Sequence, residues 1–408
     1  MKHIISKSCA DAQAYIVPFR AGSHRGVSIA PEIDAAVDLA INGSFGGNLG
    51  ETYAMTLPAG DKLTSIILLG LGADKLSVRD IHTKAAPAFK QAKQLGARHA
   101  AIMLDQVSEL SESFELFGAL ARLPQLVGYT NSGLKSNPEN KSFEQVAFVT
   151  AADGLDAALS EAVATARGTI IARRLCNLRS NEQTPQSLAE DAAALGKEYG
   201  FDVQLFDKAA IDELGMESFL SVARGAHNTP PVLIVMRYFN GGDSPRIGLV
   251  GKGIVYDSGG YSIKTTPGMK NMFDDMGGAA AVIGAMTAVA DQRLRANVIG
   301  VIAACENKIA ADAYVPGDII GSMSGKTIEV ISADAEGRLT LADAVTYIQR
   351  KESCRFVADI ATLTGSAKTA VGKYSAAVLT NNEELYASAR EASRLSAEKI
   401  WRLDNDRE

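Results

Sequence analysis

The 408 residues predict an α/β protein of two domains: a small N-terminal α/β domain, then a larger one built around a mixed central sheet. Three observations carry that expectation. Short apolar runs of strand length alternate with stretches of helical periodicity, once up to about Thr150 and again beyond Thr184. A long helical pattern separates the two series. The charged, glycine-rich segments of the second series fall where its strands end, the usual place for a site in such sheets.

In the first series, residues 65–71 form a continuous apolar run, the mark of a buried strand in a parallel sheet. Residues 78–95 follow as an amphipathic helix, 99–104 as a strand, 109–123 as a helix closed by Pro124, and 144–150 as a strand. The polar run 130–141 reads as a loop excursion before that last strand. No glycine-rich phosphate-binding loop occurs here, so this part carries no visible chemistry. Residues 155–174 form the connecting helix. Thr184-Pro-Gln-Ser then opens the second domain, with a capping threonine and proline at the first helical position. The expected division is 1–154, a connector over 155–183, and 184–408. Within the last part, helices are expected at 186–199, 278–289 and 339–350. Strands are expected at 202–206, 231–238, 247–250, 297–305, 327–332 and 355–360.

Composition narrows the function. A net charge of −6 gives no support for binding nucleic acid through bulk electrostatics. The four cysteines, Cys9, Cys176, Cys305 and Cys354, show no paired spacing and read as reduced structural thiols. Met1-Lys-His-Ile-Ile-Ser-Lys lacks the apolar core of a secretion signal. The longest apolar stretch, 276–290, is shorter than the roughly 20 residues that span a bilayer. A soluble, cytoplasmic protein with no membrane partner is expected.

The chemistry concentrates between residues 249 and 278 and again at 334–338. An apolar run there gives way to Lys252, Asp257, Lys264, Asp274 and Asp275 among glycine pairs. Downstream stands Asp334-Ala-Glu336-Gly-Arg338. Charged groups between a buried strand and a buried helix are costly to desolvate, and bound cations are the simplest compensation for the acids. All five histidines lie outside these clusters, which disfavours a histidine zinc site. Carboxylates are hard ligands suited to magnesium, manganese or zinc, and can bridge two ions. Asp334 and Glu336, two apart at the end of an expected strand, would point to one side, with Arg338 continuing the register. Taken singly, each residue has an ordinary reading. Lys252 could be an ion-pair partner of Asp257, Asp274 and Asp275 helix caps, Asp334 a turn residue and Lys264 a surface lysine. Their joint occurrence around glycine pairs is harder to explain that way.

Val250-Gly-Lys-Gly-Ile-Val-Tyr-Asp-Ser-Gly-Gly260, Asp275-Met-Gly-Gly278 and Asp334-Ala-Glu-Gly-Arg-Leu339 resemble the signature blocks of the leucine aminopeptidase (cytosol aminopeptidase) family. Ala361-Thr-Leu-Thr-Gly365 is similar to a fourth block, and the first domain looks like the family's variable N-terminal domain. The resemblance implies two divalent metal ions (zinc, manganese or magnesium) held by Lys252, Asp257, Asp275, Asp334 and Glu336, with Asp257 and Glu336 bridging. It implies Lys264 and Arg338 as the catalytic pair, with bicarbonate held by Arg338 shuttling the proton. Met272, Thr362, Leu363 and Gly365 would meet the substrate, a peptide with a free N-terminus, and six chains would form a homohexamer. A water activated between two dications would attack the first peptide bond, with Lys264 polarising its carbonyl.

The chain also departs from the family. Ser332-Ala333 stands where Asn-Thr is usual. Tyr261 and Lys368 look more like the peptidase B branch, and a lysine there could favour acidic N-terminal residues. Family members continue beyond Glu408, so a C-terminally short catalytic domain is expected. The competing readings are a catalytically impaired short homologue, a DNA-binding architectural hexamer, and a two-metal phosphohydrolase. The last lacks any phosphate loop or arginine cluster.

Overall fold

The computed structural model describes residues 1–8, 12–22, 29–59, 62–131, 136 and 142–405. Contacts divide the chain into two units, Met1–Ala166 with Ala370–Glu408, and Arg167–Thr369.

The first unit holds a six-stranded sheet. Its strands are β1 (Lys2–Ser6), β2 (Ala14–Phe19), β3 (Thr52–Ala59), β4 (Lys62–Gly70), β5 (His99–Met103) and β6 (Gln145–Val149). Their order is β1-β6-β5-β2-β4-β3, parallel throughout except for β3 against β4. Ile16, Ile67 and Leu69 face one apolar cluster, and Tyr15, Val17 and Leu68 the other, so both faces are buried as a parallel sheet requires. One expectation is corrected here. Pro124 does not close a helix; it lies inside Phe114–Gly128, which starts from the Ser113 cap after a short turn of helix, Glu109–Glu112. Phe117, Leu120, Leu123 and Pro124 are all buried on that helix, and this packing outweighs the one backbone hydrogen bond that proline forgoes. Most of the polar run 130–141 lies outside the described residues.

The second unit is built on β7 (Asp202–Phe206), β8 (Val232–Phe239), β9 (Arg246–Asp257), β10 (Asn297–Asn307) and, after the short pair β11 (Ile319–Ile320) and β12 (Ile328–Glu329), β13 (Phe356–Ile360). The order β13-β9-β10-β8-β7 is mixed: β13, β9 and β10 run parallel, while β8 runs against both β10 and β7. Helix Gly277–Asp291 joins β9 to β10 and packs on the face of Val298, Ile302 and Ala304. Helix Glu336–Arg350 lies between β10 and β13 in the chain and packs on the opposite face, with Val301, Ala303 and Cys305. The two crossovers thus flank the carboxyl ends of the three parallel strands, where α/β sheets place their sites.

Two expectations about this sheet are corrected. β9 does not stop at Val250 but runs through Gly251 and Gly253 to Asp257. No strand leads into Asp334. Only Ile328–Glu329 is extended, Asp334 sits in a turn, and Glu336 is the first residue of a helix. The division of the chain also has a feature that the sequence did not suggest. Ala370–Glu408, with β14 (Ser375–Val378) and β15 (Lys399–Arg402), clusters with the first unit. There Arg394 pairs with Glu115, and Arg122 donates to the Leu395 carbonyl.

Candidate metal centre

Lys252 and Asp257 stand five apart on β9, an odd spacing that puts side chains on opposite faces of a regular strand. A bulge reverses this. Cys305 pairs with Ile254 but Glu306 pairs with Tyr256, so β9 carries one extra residue, Val255, and Asp257 comes round to the face of Lys252. That face receives the start of helix Glu336–Arg350. The tight fit depends on glycine: a Cβ at Gly337 would lie 2.5 Å from Lys252 Cε and 2.8 Å from its Nζ. Asp275 arrives from the other crossover, just before Gly277 and Gly278. A Cβ at Gly278 would overlap the Ile360 carbonyl oxygen.

Lys252 Nζ lies 2.7 Å from Asp275 Oδ2 and 2.8 Å from Glu336 Oε1, and donates to the Thr362 carbonyl at 3.0 Å. Lys264 Nζ lies 2.8 Å from Asp257 Oδ2 and 2.5 Å from Asp334 Oδ1. The simple ion pair of Lys252 with Asp257 is therefore not formed; each lysine bridges two other acids. Oxygens of Asp257, Asp334 and Glu336 lie within 4.8 Å of one another. Lys252, Asp257, Asp275 and Glu336 are buried and Asp334 is exposed. Neither Asp274 nor Asp275 caps helix Gly277–Asp291: Met276 is its cap residue and makes no side-chain cap bond.

Electrostatics mark the site as short of positive charge. Burial pushes the Asp275 carboxyl up to about 7, although Lys252 and the Thr362 hydroxyl, which donates to Asp275 Oδ1 at 2.7 Å, pull the other way. Burial also opposes the charged form of Lys252, but Glu336 and Asp275 outweigh it and hold its pKa above the ordinary lysine value. Lys264 is likewise raised by its bonds to Asp257 and Asp334 against the cost of burial. Four carboxylates face two ammonium groups, and Glu336 Oε2 is buried without a hydrogen-bond partner. Hard divalent cations fit this donor set, filling the charge deficit and the orphaned oxygen together.

The catalytic-domain model of the cytosol aminopeptidase family matches residues 170–408, and the model of its N-terminal domain matches 34–138. The chain belongs to the cytosol aminopeptidase family. It is an enzyme of the metallo-aminopeptidase class. A probable cytosol aminopeptidase of Clostridium perfringens is 43% identical over 372 residues, 88% of this chain and 74% of the relative. One of Fusobacterium nucleatum is 40% identical over 360 residues, 88% of this chain and 73% of the relative. A solved structure of a tomato leucine aminopeptidase mutant matches with a TM-score of 0.86 at 30% identity, covering 99% of this chain and 82% of that one.

Within this aminopeptidase fold the other expected site residues are placed more loosely. Arg338, in the first turn of helix Glu336–Arg350, is exposed, with no ion pair among the described residues. Met272 is half-buried in the turn Met272–Asp274, while Leu363 and Gly365 are exposed before and at the start of helix Gly365–Val371. Thr362 serves the acids directly, its hydroxyl on Asp275 and its carbonyl on Lys252. Sequence reasoning missed three groups. Asn307 donates to Asp257 Oδ1, Tyr314 donates to the Ala333 carbonyl, and Ser262 Oγ accepts from Ala333 N. Asn307 left a trace in the sequence, a polar residue closing the apolar run of β10, but nothing there named its partner.

Proposed function

We propose that the chain hydrolyses the first peptide bond of peptides with a free N-terminus, using two divalent ions held by Lys252, Asp257, Asp275, Asp334 and Glu336. The observation that carries this reading is the meeting of four carboxylates and two lysines at the ends of β9, β10 and β13. Manganese or zinc, with magnesium as a further choice, would supply Lewis acidity to activate water and polarise the scissile carbonyl. Asp257 and Glu336, the two buried acids of the close trio, are the proposed bridges. Lys252 is charged in its ion pairs and would give up its proton to become a ligand, a change that neighbouring dications favour.

Lys264 is proposed to place its ammonium against the carbonyl oxygen as negative charge develops there. Asp257 and Asp334 hold that ammonium in place. Arg338, with no ion pair among the described residues, is proposed to bind bicarbonate, which no histidine of the site replaces as a proton carrier. Met272, Thr362, Leu363 and Gly365 are proposed to line the path of the peptide. Recognition of the free amine confines cleavage to the N-terminal residue.

The division expected from the sequence, with 184–408 as the catalytic portion, is kept as a proposal, as are cytoplasmic localisation and a homohexamer. Sedimentation velocity should give the mass of about six chains. The decisive test of function compares an unblocked dipeptide with its N-acetyl form in the presence of manganese or zinc. Release of the first residue from the unblocked peptide alone is expected, and no turnover with either metal would sink the reading. Asp275→Ala should lower bound metal per chain.

A further inference from the structure

We propose that Asn307 is a positioning residue, whose side-chain amide holds Asp257 in register with the turn that carries Asp334 and Glu336. This rests on the assignment of those acids as metal ligands.

Asn307 is fully buried as the last residue of β10. The bulge at Val255 sets it directly opposite Asp257. Its Nδ2 donates to Asp257 Oδ1 at 2.8 Å and to the Ala333 carbonyl at 2.9 Å. Both partners are pure acceptors, so the chemistry settles which end of the amide faces them. One NH2 group therefore ties the end of β9 to the residue just before Asp334.

The other contacts show what this tie constrains. Asp257 Oδ1 also accepts from Gly259 N at 2.9 Å, which leaves Oδ2 to face Lys264. The Ala333 peptide is held on both sides, with Tyr314 OH on its carbonyl at 2.7 Å and its N–H donating to Ser262 Oγ at 3.0 Å. The backbone of Asn307 is engaged too, since Ser258 donates to its carbonyl through both N and Oγ. Asn307 Oδ1, by contrast, is buried with no hydrogen-bond partner. It faces Gly260, where a Cβ would lie 3.0 Å away. An orphaned buried oxygen is destabilising, and an apolar side chain of similar shape would avoid it. Keeping the amide despite that cost makes sense if its NH2 group is needed to align the ligands.

Residues that orient metal ligands act on metal affinity, typically by 10–100-fold. The test measures manganese or zinc dissociation constants by chelator competition for the full chain and for Asn307→Ala, Asn307→Asp and Asn307→Ser. Circular dichroism of the metal-free proteins reports folding. A loss of affinity of tenfold or more is expected, largest for Asn307→Asp, which sets an oxygen against two acceptors. Any smaller loss in the folded variants overturns the proposal, and Asn307→Ser, the mildest change, carries the test if the others do not fold. Asp257→Ala runs in parallel. If it also leaves affinity unchanged, the ligand assignment has failed and not only the role of Asn307.

Discussion

A methyl group at position 337 has nowhere to go but into the Lys252 side chain. The atoms it would meet, Cε at 2.5 Å and Nζ at 2.8 Å, belong to the flexible end of a lysine. The backbone can therefore stay while the ammonium swings away from Asp275 and Glu336. Gly337→Ala is expected to lower kcat/KM at least tenfold while shifting the melting temperature by only a few degrees, a split that kinetics and calorimetry together will read. Gly278 is the opposite case. A Cβ there runs into the Ile360 carbonyl and Lys252 N, both backbone, so Gly278→Ala should cost about 1–3 kcal/mol or more in denaturant unfolding. Gly118, inside helix Phe114–Gly128 and away from the site, where a Cβ meets nothing within 4 Å, makes the control. The sequence showed glycine pairs beside the acids. Which glycine guards which side chain depends on neighbours such as Lys252, 85 positions before Gly337, and no local pattern could show that.

The elements were legible where apolar periodicity was long and uninterrupted, and illegible where the site bends them. Residues 202–206 and the helix near 186–199 were found almost to the residue. The sequence signal for β9 ends at Val250 because Gly251, Lys252 and Gly253 do not resemble a strand, yet Gly251 lets helix Gly277–Asp291 lie against the sheet. Asp334 and Glu336 were expected to align on an extended strand; a turn and a helix start bring them together instead. The bulge that brings Asp257 beside Lys252 is a property of pairing with β10, which the sequence of β9 does not state. Asp343 shows how firmly helix Glu336–Arg350 is then fixed. Its carboxylate is fully buried and accepts from Phe219 N at 2.9 Å and Met323 N at 2.8 Å. Asp343→Ala strands both donors and should cost about 1–3 kcal/mol for each. Chemical denaturation of the metal-free protein will show it as a lower midpoint with an unchanged slope.

The proposed metal site belongs to one part of the chain. Lys252, Asp257, Lys264, Asp275, Asp334, Glu336 and Thr362 all lie in the unit Arg167–Thr369. Without cations the site sets four carboxyl groups against two ammonium groups and leaves Glu336 Oε2 buried with no hydrogen-bond partner. A ligand that binds only the folded state stabilises it by mass action, by about 2.7 kcal/mol at a hundredfold excess over Kd. The gain should therefore appear locally. Hydrogen exchange followed by mass spectrometry, with and without manganese, is expected to slow in peptides covering 250–278, 305–308, 333–340 and 360–364. Exchange in β2 and β4 of the other unit should stay as it was. Slowing confined to the first unit, or none at all under saturating metal, would place the ions elsewhere and leave the acid cluster as a network of ion pairs alone.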